Sequence, residues 1–166
     1  MTYQKYTQEV KKWNEIMQNA PADNDEGTLA KILRQSAFVV EEAKEIQDGA
    51  LAGDVQEMLD GHLDTRFVND QIGVYLESLG INLEKAWEEV CRSNNSKFST
   101  NFGIMAESAE RYIEAGTDVY VEISSGTPPN AVYILKRRSD GKVMKPLCFS
   151  EPDLRKFIPK HLRGKR

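Results

Sequence analysis

The chain has 166 residues, of which 40% are hydrophobic and 29% are charged, and its formal net charge at pH 7 is −4. This length supports one good hydrophobic core, and the composition excludes a disordered or fibrous protein. No uninterrupted apolar run approaches the roughly eighteen residues of a transmembrane helix. The polar beginning of the chain predicts no signal peptide, and the widely spaced Cys91 and Cys148 predict neither a disulfide framework nor a structural zinc site. These features together favour a cytoplasmic protein.

Four amphipathic helices are predicted first in chain order, because apolar residues recur every three or four positions. Thr28 is the expected cap of the second helix and Gly49 its expected stop. Asp54 and Asn82 are the expected caps of the third and fourth helices. The expected ranges are 3–17, 28–48, 54–79 and 82–92.

The remaining chain is predicted to contain a short helix over 105–115 and two β-rich runs over 119–123 and 131–135, which form a hairpin. Ser150 and Asp153 resemble a capping box that opens a final short helix. The expected fold is therefore mainly α. It consists of a four-helix bundle over 1–116 and a small hairpin-containing extension over 117–166 in the same globule. So few amphipathic helices often complete their core with a second copy, which predicts a homo-oligomer.

Charge is distributed unevenly along the chain. Residues 136–166 hold eleven Lys or Arg and three Asp or Glu, a net charge of +8, so the first 135 residues carry −12. A metal-bound polyphosphate suits both regions, because acids hold cations and bases hold phosphate oxygens. A nucleic-acid partner would explain the basic end alone. The simplest alternative is a solvated acidic helix surface with a basic tail.

Two bands of carboxylates lie on the second and third predicted helices. At about 100° per residue, the three acids of each helix share one sector beside the apolar face. Such bands repel unless a cation neutralises them, and Mg²⁺ prefers oxygen ligands. The lone His62 and His161 are interpreted as non-ligands. The acids are Glu41, Glu42 and Glu45, and then Glu57, Asp60 and Asp64.

The three glutamates of the second helix and Glu57 also have ordinary structural explanations. Glu-rich helix faces are common on protein surfaces, and Glu57 completes a capping box with Asp54. Asp60 and Asp64 are harder to explain in this way, because aspartate is a poor residue in the middle of a helix.

The pattern EExxE over 41–45 followed by ExxD over 57–60 resembles the signature of the all-α NTP pyrophosphatases. That superfamily includes MazG, the dimeric dUTPases and phosphoribosyl-ATP pyrophosphohydrolase. The chain is most similar to the MazG-like proteins encoded by phages, through 57–64, 89–98 and 140–146, and the likeness extends from about 28 to 158. In MazG proper a glutamate precedes the aspartate by three residues, whereas Gly61 precedes Asp64 here. The third-helix ligands are therefore either Glu57 and Asp60 or Asp60 and Asp64.

This resemblance implies hydrolysis of a (d)NTP to (d)NMP and diphosphate with Mg²⁺, for which Mn²⁺ can substitute. It also implies a dimer or a dimer of dimers, in the cytoplasm of a bacterial host if the chain is phage-encoded. In a phage the activity would adjust the nucleotide pool, with dGTP, GTP or dUTP among the candidate substrates and an alarmone or modified nucleotide as alternatives. Glu41 or Glu42 would accept the proton. The implied metal ligands are Glu42, Glu45, Glu57, Asp60 and Asp64, and the implied phosphate-binding residues are Asn94, Lys97, Lys142 and Lys145.

The alternative to an enzyme is a dimeric module that binds nucleic acid or protein through its basic tail. The charge of +8 supports that alternative, whereas the paired acidic bands support only the enzyme. Four aromatic residues are candidates for stacking on a base: Trp13, Trp87, Tyr120 and Tyr133. The helical spacing favours a core position for Trp13 and Trp87.

Overall fold

Helices account for most of the computed structural model, which describes the backbone of residues 3–164 and the side chains of residues 7–164. The helices are α1 (Tyr3–Ile16), α2 (Asp25–Ala52), α3 (Val55–Ser78), α4 (Leu83–Asn95) and α5 (Phe102–Glu114). The strands are β1 (Phe98–Ser99), β2 (Val119–Ser125) and β3 (Val132–Arg137). They form an antiparallel sheet in the order β1-β3-β2. The predictions of a mainly α fold and of a β2–β3 hairpin are confirmed.

The chain divides into two compact units. The first contains α1–α3 together with the chain from Phe157 onward, and the second runs from Glu84 to Lys156. The predicted boundary between residues 116 and 117 falls inside the second unit, between α5 and β2.

The second helix is longer than predicted at both ends. The side chain of Asn24 caps α2 by accepting the N–H of Gly27 at 2.7 Å, so the cap is not Thr28. Thr28 is buried, and its hydroxyl donates to the carbonyl oxygen of Ala22. Gly49 does not end the helix; Gly53 does, at a φ of 70° that glycine adopts readily. The predicted cap at Asp54 is confirmed, because its carboxylate accepts the N–H groups of Gln56 and Glu57.

Two local predictions in the second unit were wrong. The fifth helix begins earlier than residue 105, because the Asn101 side chain caps it at Ile104. Ser150 caps no α-helix: its N–H donates to the hydroxyl of Ser96, and 3-10 turns follow at Arg155–Phe157 and Lys160–Leu162. Strand β1 was not predicted because two residues are too short for a period of two to appear.

The hydrophobic core of the second unit lies between α5 and the sheet. Its buried members are Met105, Ala109, Val119, Ala131, Tyr133 and Leu135. These residues come from both sides of the Gly116 turn, so α5 and the hairpin stabilise each other.

The buried apolar residues of the first unit are Val10 on α1, Val74 and Tyr75 on α3, and Leu79 at the end of α3. The buried members of the 28-residue α2 are Thr28, Gln35 and Gly49, none of them a large apolar residue. Leu33 and Val40 are 75% and 71% exposed, although their spacing predicted a core position. The same correction applies to Val55, Leu59 and Leu63 on α3. Among the described residues, no helix is long and apolar enough to cross a membrane.

Candidate functional site

Two glycines bring α2 and α3 into close antiparallel contact. A Cβ at Gly61 of α3 would lie 2.9 Å from the backbone nitrogen of Ile46 and 3.1 Å from the carbonyl oxygen of Glu42. A Cβ at Gly49 of α2 would lie 2.8 Å from the backbone nitrogen of Met58. Any larger side chain would push the helices apart, so glycine at these positions sets how closely the two acidic bands face each other.

Glu42 stands at the centre of the acidic region. It is half-buried on α2, as is Glu45 one turn later, whereas Glu41 is exposed. Partial burial raises the pKa of the Glu42 carboxyl, and the negative charges of Glu45, Asp64 and Glu41 raise it further. Asp64 therefore acts on Glu42 from the neighbouring helix, which is the arrangement that the two acidic bands predicted.

The other two acids of α3 are placed differently. Glu57 and Asp60 are exposed, and neither contributes to the raised pKa of Glu42. Glu57 lies in the first turn of α3, where its N–H is capped by Asp54. Its Cβ would be 3.1 Å from a Cβ at Gly49. Of the two ligand pairs that the sequence left open, only the one containing Asp64 has a member that raises the pKa of Glu42.

The carboxylates do not converge on one point. Within residues 3–164, no group of three or more His, Cys, Asp or Glu side chains has the spacing of a metal site. The donor chemistry nevertheless suits a hard divalent cation, because Glu42, Glu45 and Asp64 supply only oxygen atoms and repel one another. A cation between them would remove the repulsion that raises the pKa of Glu42.

A cleft of about 720 Å³ opens beside Glu42 and Asp64 within the first unit. Its walls come from α1, α2, α3 and the segment after α1, and they combine acids, cations, aromatic rings and amides. The principal lining residues are Trp13, Asn19, Lys31, Arg34, Gln35, Phe38, Glu42, Asp64, Phe67, Gln71 and Tyr75. This volume is in the range of small-molecule sites.

The cleft changes character along its length. The helix spacing places Phe38 one turn from Glu42, Gln35 two turns away, and Lys31 three turns away. Because α3 is antiparallel, Asp64, Phe67, Gln71 and Tyr75 follow the same order on the opposite wall. The cleft is therefore acidic at one end, aromatic next, then amide-lined, and finally cationic.

Trp13 belongs to this cleft and not to the core. Its ring is 38% exposed and meets the ring of Phe67 edge to face, with centroids 5.3 Å apart. Trp87 is 67% exposed on α4. The predicted core positions of both tryptophans were therefore wrong for the single chain. Tyr133 is buried in the core of the second unit, and Tyr120 lies beneath the guanidinium of Arg138.

The cationic end is formed around Tyr75. The hydroxyl of Tyr75 donates to the carbonyl oxygen of Asn19 at 3.0 Å, and burial raises its pKa although Arg34 lies near enough to oppose that effect. Arg34 is exposed and forms no ion pair with a described residue. Lys31 donates to the carbonyl oxygen of Ala20. The Arg34 guanidinium is therefore available to bind an anionic or polar group in the cleft.

The amide section contains two buried glutamines. Gln71 is 2% exposed and donates to the side-chain oxygen of Asn14, which is 1% exposed. Gln35 is 6% exposed, and its side-chain amide bonds to no other described side chain or backbone group. No sequence motif marks Gln35, Arg34 or Phe38 as a site residue. The sequence does contain one indication for Gln35 and Phe38. Positions 35, 38 and 42 are spaced by three and four residues, which places them on one helix face with Glu42.

The predicted phosphate-binding residues lie in the second unit, whereas the acids lie in the first. Lys97 donates to the side-chain oxygen of Asn94 at 2.7 Å, and the Asn94 amide donates to the carbonyl oxygen of Val90. Lys145 pairs with Glu151 at 2.7 Å and lies over the ring of Phe149. Lys142 is exposed, and its backbone N–H donates to Asp140. The role of these four residues in phosphate binding stays a prediction.

Another charged group, Glu89, has a structural role. It is 9% exposed and accepts two bonds from Arg92 and one from the N–H of Asp153, with Lys156 at 3.2 Å. The Arg92 bonds, followed by the Asp153 N–H, hold the pKa of Glu89 well below its usual range. This carboxylate attaches the chain after the sheet to α4, and its bonding capacity is used within the unit.

Comparison with known proteins supplies no family assignment. No protein-family model, no curated protein and no solved structure matches this chain.

Proposed function

We propose that the chain is a Mg²⁺-dependent nucleoside triphosphate pyrophosphohydrolase of the all-α type. The observation that carries this proposal is the cleft in which Glu42 and Asp64 lie at one end and aromatic and amide side chains follow. A nucleotide has the same order of chemistry, with a metal-binding phosphate, a sugar, and a flat base with polar edges.

The dimensions of the cleft suit this ligand. Glu42 and Gln35 are seven residues apart on α2, which is about 10 Å along the helix axis. This separation is comparable to the span from the α-phosphate to the base of an extended nucleotide. A triphosphate whose α-phosphate lies beside Glu42 and Asp64 therefore carries its base to the aromatic and amide section.

The acids take different roles in this proposal. Glu42, Glu45 and Asp64 would hold Mg²⁺, with Glu57 and Asp60 further along the band. The bound metal would supply charge neutralisation for the triphosphate and a water of lowered pKa. Glu42 is also a candidate to accept a proton, through a carboxylate oxygen that the metal leaves free. Glu41 is the alternative acceptor, since it is exposed beside Glu42.

We also propose that a second copy of the chain covers the apolar face of the α2–α3 hairpin. Leu29, Leu33, Val40 and Leu51 lie within about 40° of one another on α2, and each is about half-exposed or more. Val55, Leu59 and Leu63 on α3 are also more than half-exposed. Apolar surface of this extent is typical of an interface.

The nucleic-acid alternative is weaker because acids of the same unit neutralise much of the basic tail. Lys136 pairs with Glu122 and Arg138 with Asp118, while Arg137 binds Asp140. Lys145 and Lys156 also pair with glutamates. A phosphate backbone would have to compete with these partners.

Product analysis tests the proposal directly. The purified protein is incubated with each of the common dNTPs and NTPs, with Mg²⁺ or with EDTA, and the products are separated by anion-exchange chromatography. Monophosphate and diphosphate in equal amounts, formed only with Mg²⁺, are the expected result. Binding of DNA or RNA without nucleotide turnover would favour the alternative.

A further inference from the structure

Gln35 is a buried polar side chain whose hydrogen-bonding groups are not used by the protein. It is 6% exposed, lines the cleft, and forms no side-chain hydrogen bond within the described residues. Neighbouring Gln71 is equally buried, but its amide nitrogen is engaged by Asn14. Unlike Asn14 Nδ2, which is fully buried without a hydrogen-bond partner, the amide atoms of Gln35 stay accessible from the cleft, so a ligand in the cleft can form hydrogen bonds with them.

We propose that the Gln35 amide contacts the edge of the nucleobase and determines which nucleotide the cleft accepts. This inference rests on the proposed function and assigns its substrate-selecting residue. Phe38 lies about one turn from Gln35 toward the acidic end, so the amide lies beyond the aromatic section when counted from Glu42. A base that lies against the rings of Phe38, Phe67 and Trp13 directs an edge toward this amide.

The chemistry of the amide defines the effect of substitutions. Glutamine offers one donor and one acceptor side by side, which matches base edges that carry one of each. Gln35→Leu keeps most of the side-chain volume and removes both the donor and the acceptor. The variant therefore cannot form hydrogen bonds with the edge of the base. Glutamate offers only acceptors when ionised, and guanine presents two adjacent donors, N1–H and the 2-amino group. Gln35→Glu is therefore expected to favour guanine relative to adenine.

Two readouts test this inference on the full chain. The first is the ratio of kcat/KM between the best and the worst triphosphate, measured for the wild type, Gln35→Leu and Gln35→Glu. A ratio within one preparation is independent of the fraction of folded protein. The second is binding of α,β-imido triphosphates of the four bases by calorimetry, which requires no turnover. Gln8→Leu, at an exposed position of α1 outside the cleft, is the matched control.

The expected result is a base preference in the wild type and in Gln8→Leu that falls by about tenfold or more in Gln35→Leu. The guanine-to-adenine ratio should be higher in Gln35→Glu than in Gln35→Leu. An unchanged ratio in Gln35→Leu, or a wild type without base preference, would overturn the inference while leaving pyrophosphohydrolysis intact. Selective binding of the imido analogues without any turnover of triphosphates would support the inference and overturn the proposed function. Absence of both binding and turnover would overturn both.

Discussion

Gly61 on α3 packs against the backbone of Glu42 on α2, with no space for a Cβ between them. A glutamate side chain at this position would not fit between these helices. This backbone contact holds Glu42, Glu45 and Asp64 close to one another without using an acidic side chain. Gly61 thus has a structural role at the acidic end of the cleft.

Substitution of this glycine should separate the helices. Gly61→Ala gains helix propensity, but the added methyl group meets the backbone of Ile46 and Glu42, so we expect a net loss of about 1–3 kcal/mol. Urea unfolding monitored by circular dichroism measures this change. The control is Gly103→Ala in α5, where the nearest contact is a side-chain oxygen of Asn101 at 3.3 Å. Equal stability of Gly61→Ala and the wild type would contradict the close contact between α2 and α3 at Gly61.

Removal of the Glu42 charge should stabilise the metal-free protein at neutral pH. Its raised folded-state pKa means that the native protein holds more protons than the unfolded chain above pH 4.5. The free energy of unfolding therefore falls as the pH rises through the interval between 4.5 and the raised value. Glu42→Gln removes this loss, so its Tm in EDTA should exceed that of the wild type at neutral pH.

The advantage of Glu42→Gln should disappear well below pH 4.5, where the wild-type carboxyl is protonated in both states. Mg²⁺ should raise the Tm of the wild type more than that of the variant. Glu88→Gln, an exposed position on α4, should show neither effect. A variant that is less stable than the wild type at neutral pH would contradict the assigned repulsion.

The apolar face of the hairpin predicts a dimer as the smallest stable unit. Leu33→Glu places a charge where the side chain is 75% exposed in the single chain, so the substitution should harm association and not the fold of the monomer. Light scattering at micromolar concentration should give a dimer mass for the wild type and a lower mass for the variant. Leu147→Glu, at a 42% exposed position in the second unit, is the control. A well-folded and active wild-type monomer would contradict this prediction.

The two lysines of the second unit should affect binding more than chemistry, if they reach the nucleotide. A lysine contributes a point charge to phosphate both before and during reaction, so Lys142→Ala with Lys145→Ala should raise KM more than it lowers kcat. Lys12→Ala on α1 serves as the control for a lost surface charge. An unchanged KM would assign Lys145 to its pairing with Glu151 and Lys142 to the solvated surface.

The sequence predicted much of the fold because its local signals are strong. The cap at Asp54, the hairpin and the acidic faces of α2 and α3 each follow from short patterns. The predicted core positions of several apolar residues were wrong. Periodicity shows which residues share a helix face, but it does not show what covers that face. Leu33 and Val40 follow a helical spacing, yet no part of the chain that the structure describes buries them. Gly49 was interpreted as a helix stop because its contact with α3 is not visible in the sequence.

The cleft was predicted in part. The acidic end followed from EExxE and the aspartates, but Gln35 and Arg34 carry no motif and acquire meaning only when α3 supplies the opposite wall. Trp13 was assigned to the core because an aromatic residue at helical spacing is usually buried. Trp13 instead lines the cleft together with Met17, Gln18 and Asn19 of the segment after α1.

Mg²⁺-dependent formation of diphosphate from dNTPs tests the central claim most directly, with Glu42→Gln and Glu45→Gln compared against Glu88→Gln. Each of the first two variants removes a charge from the acidic end of the cleft, whereas the third removes one from exposed α4. We predict that the wild type and Glu88→Gln release diphosphate and monophosphate with Mg²⁺, while Glu42→Gln and Glu45→Gln keep their helical circular dichroism and lose turnover. Near-normal Mg²⁺-dependent turnover by both Glu42→Gln and Glu45→Gln would contradict the account.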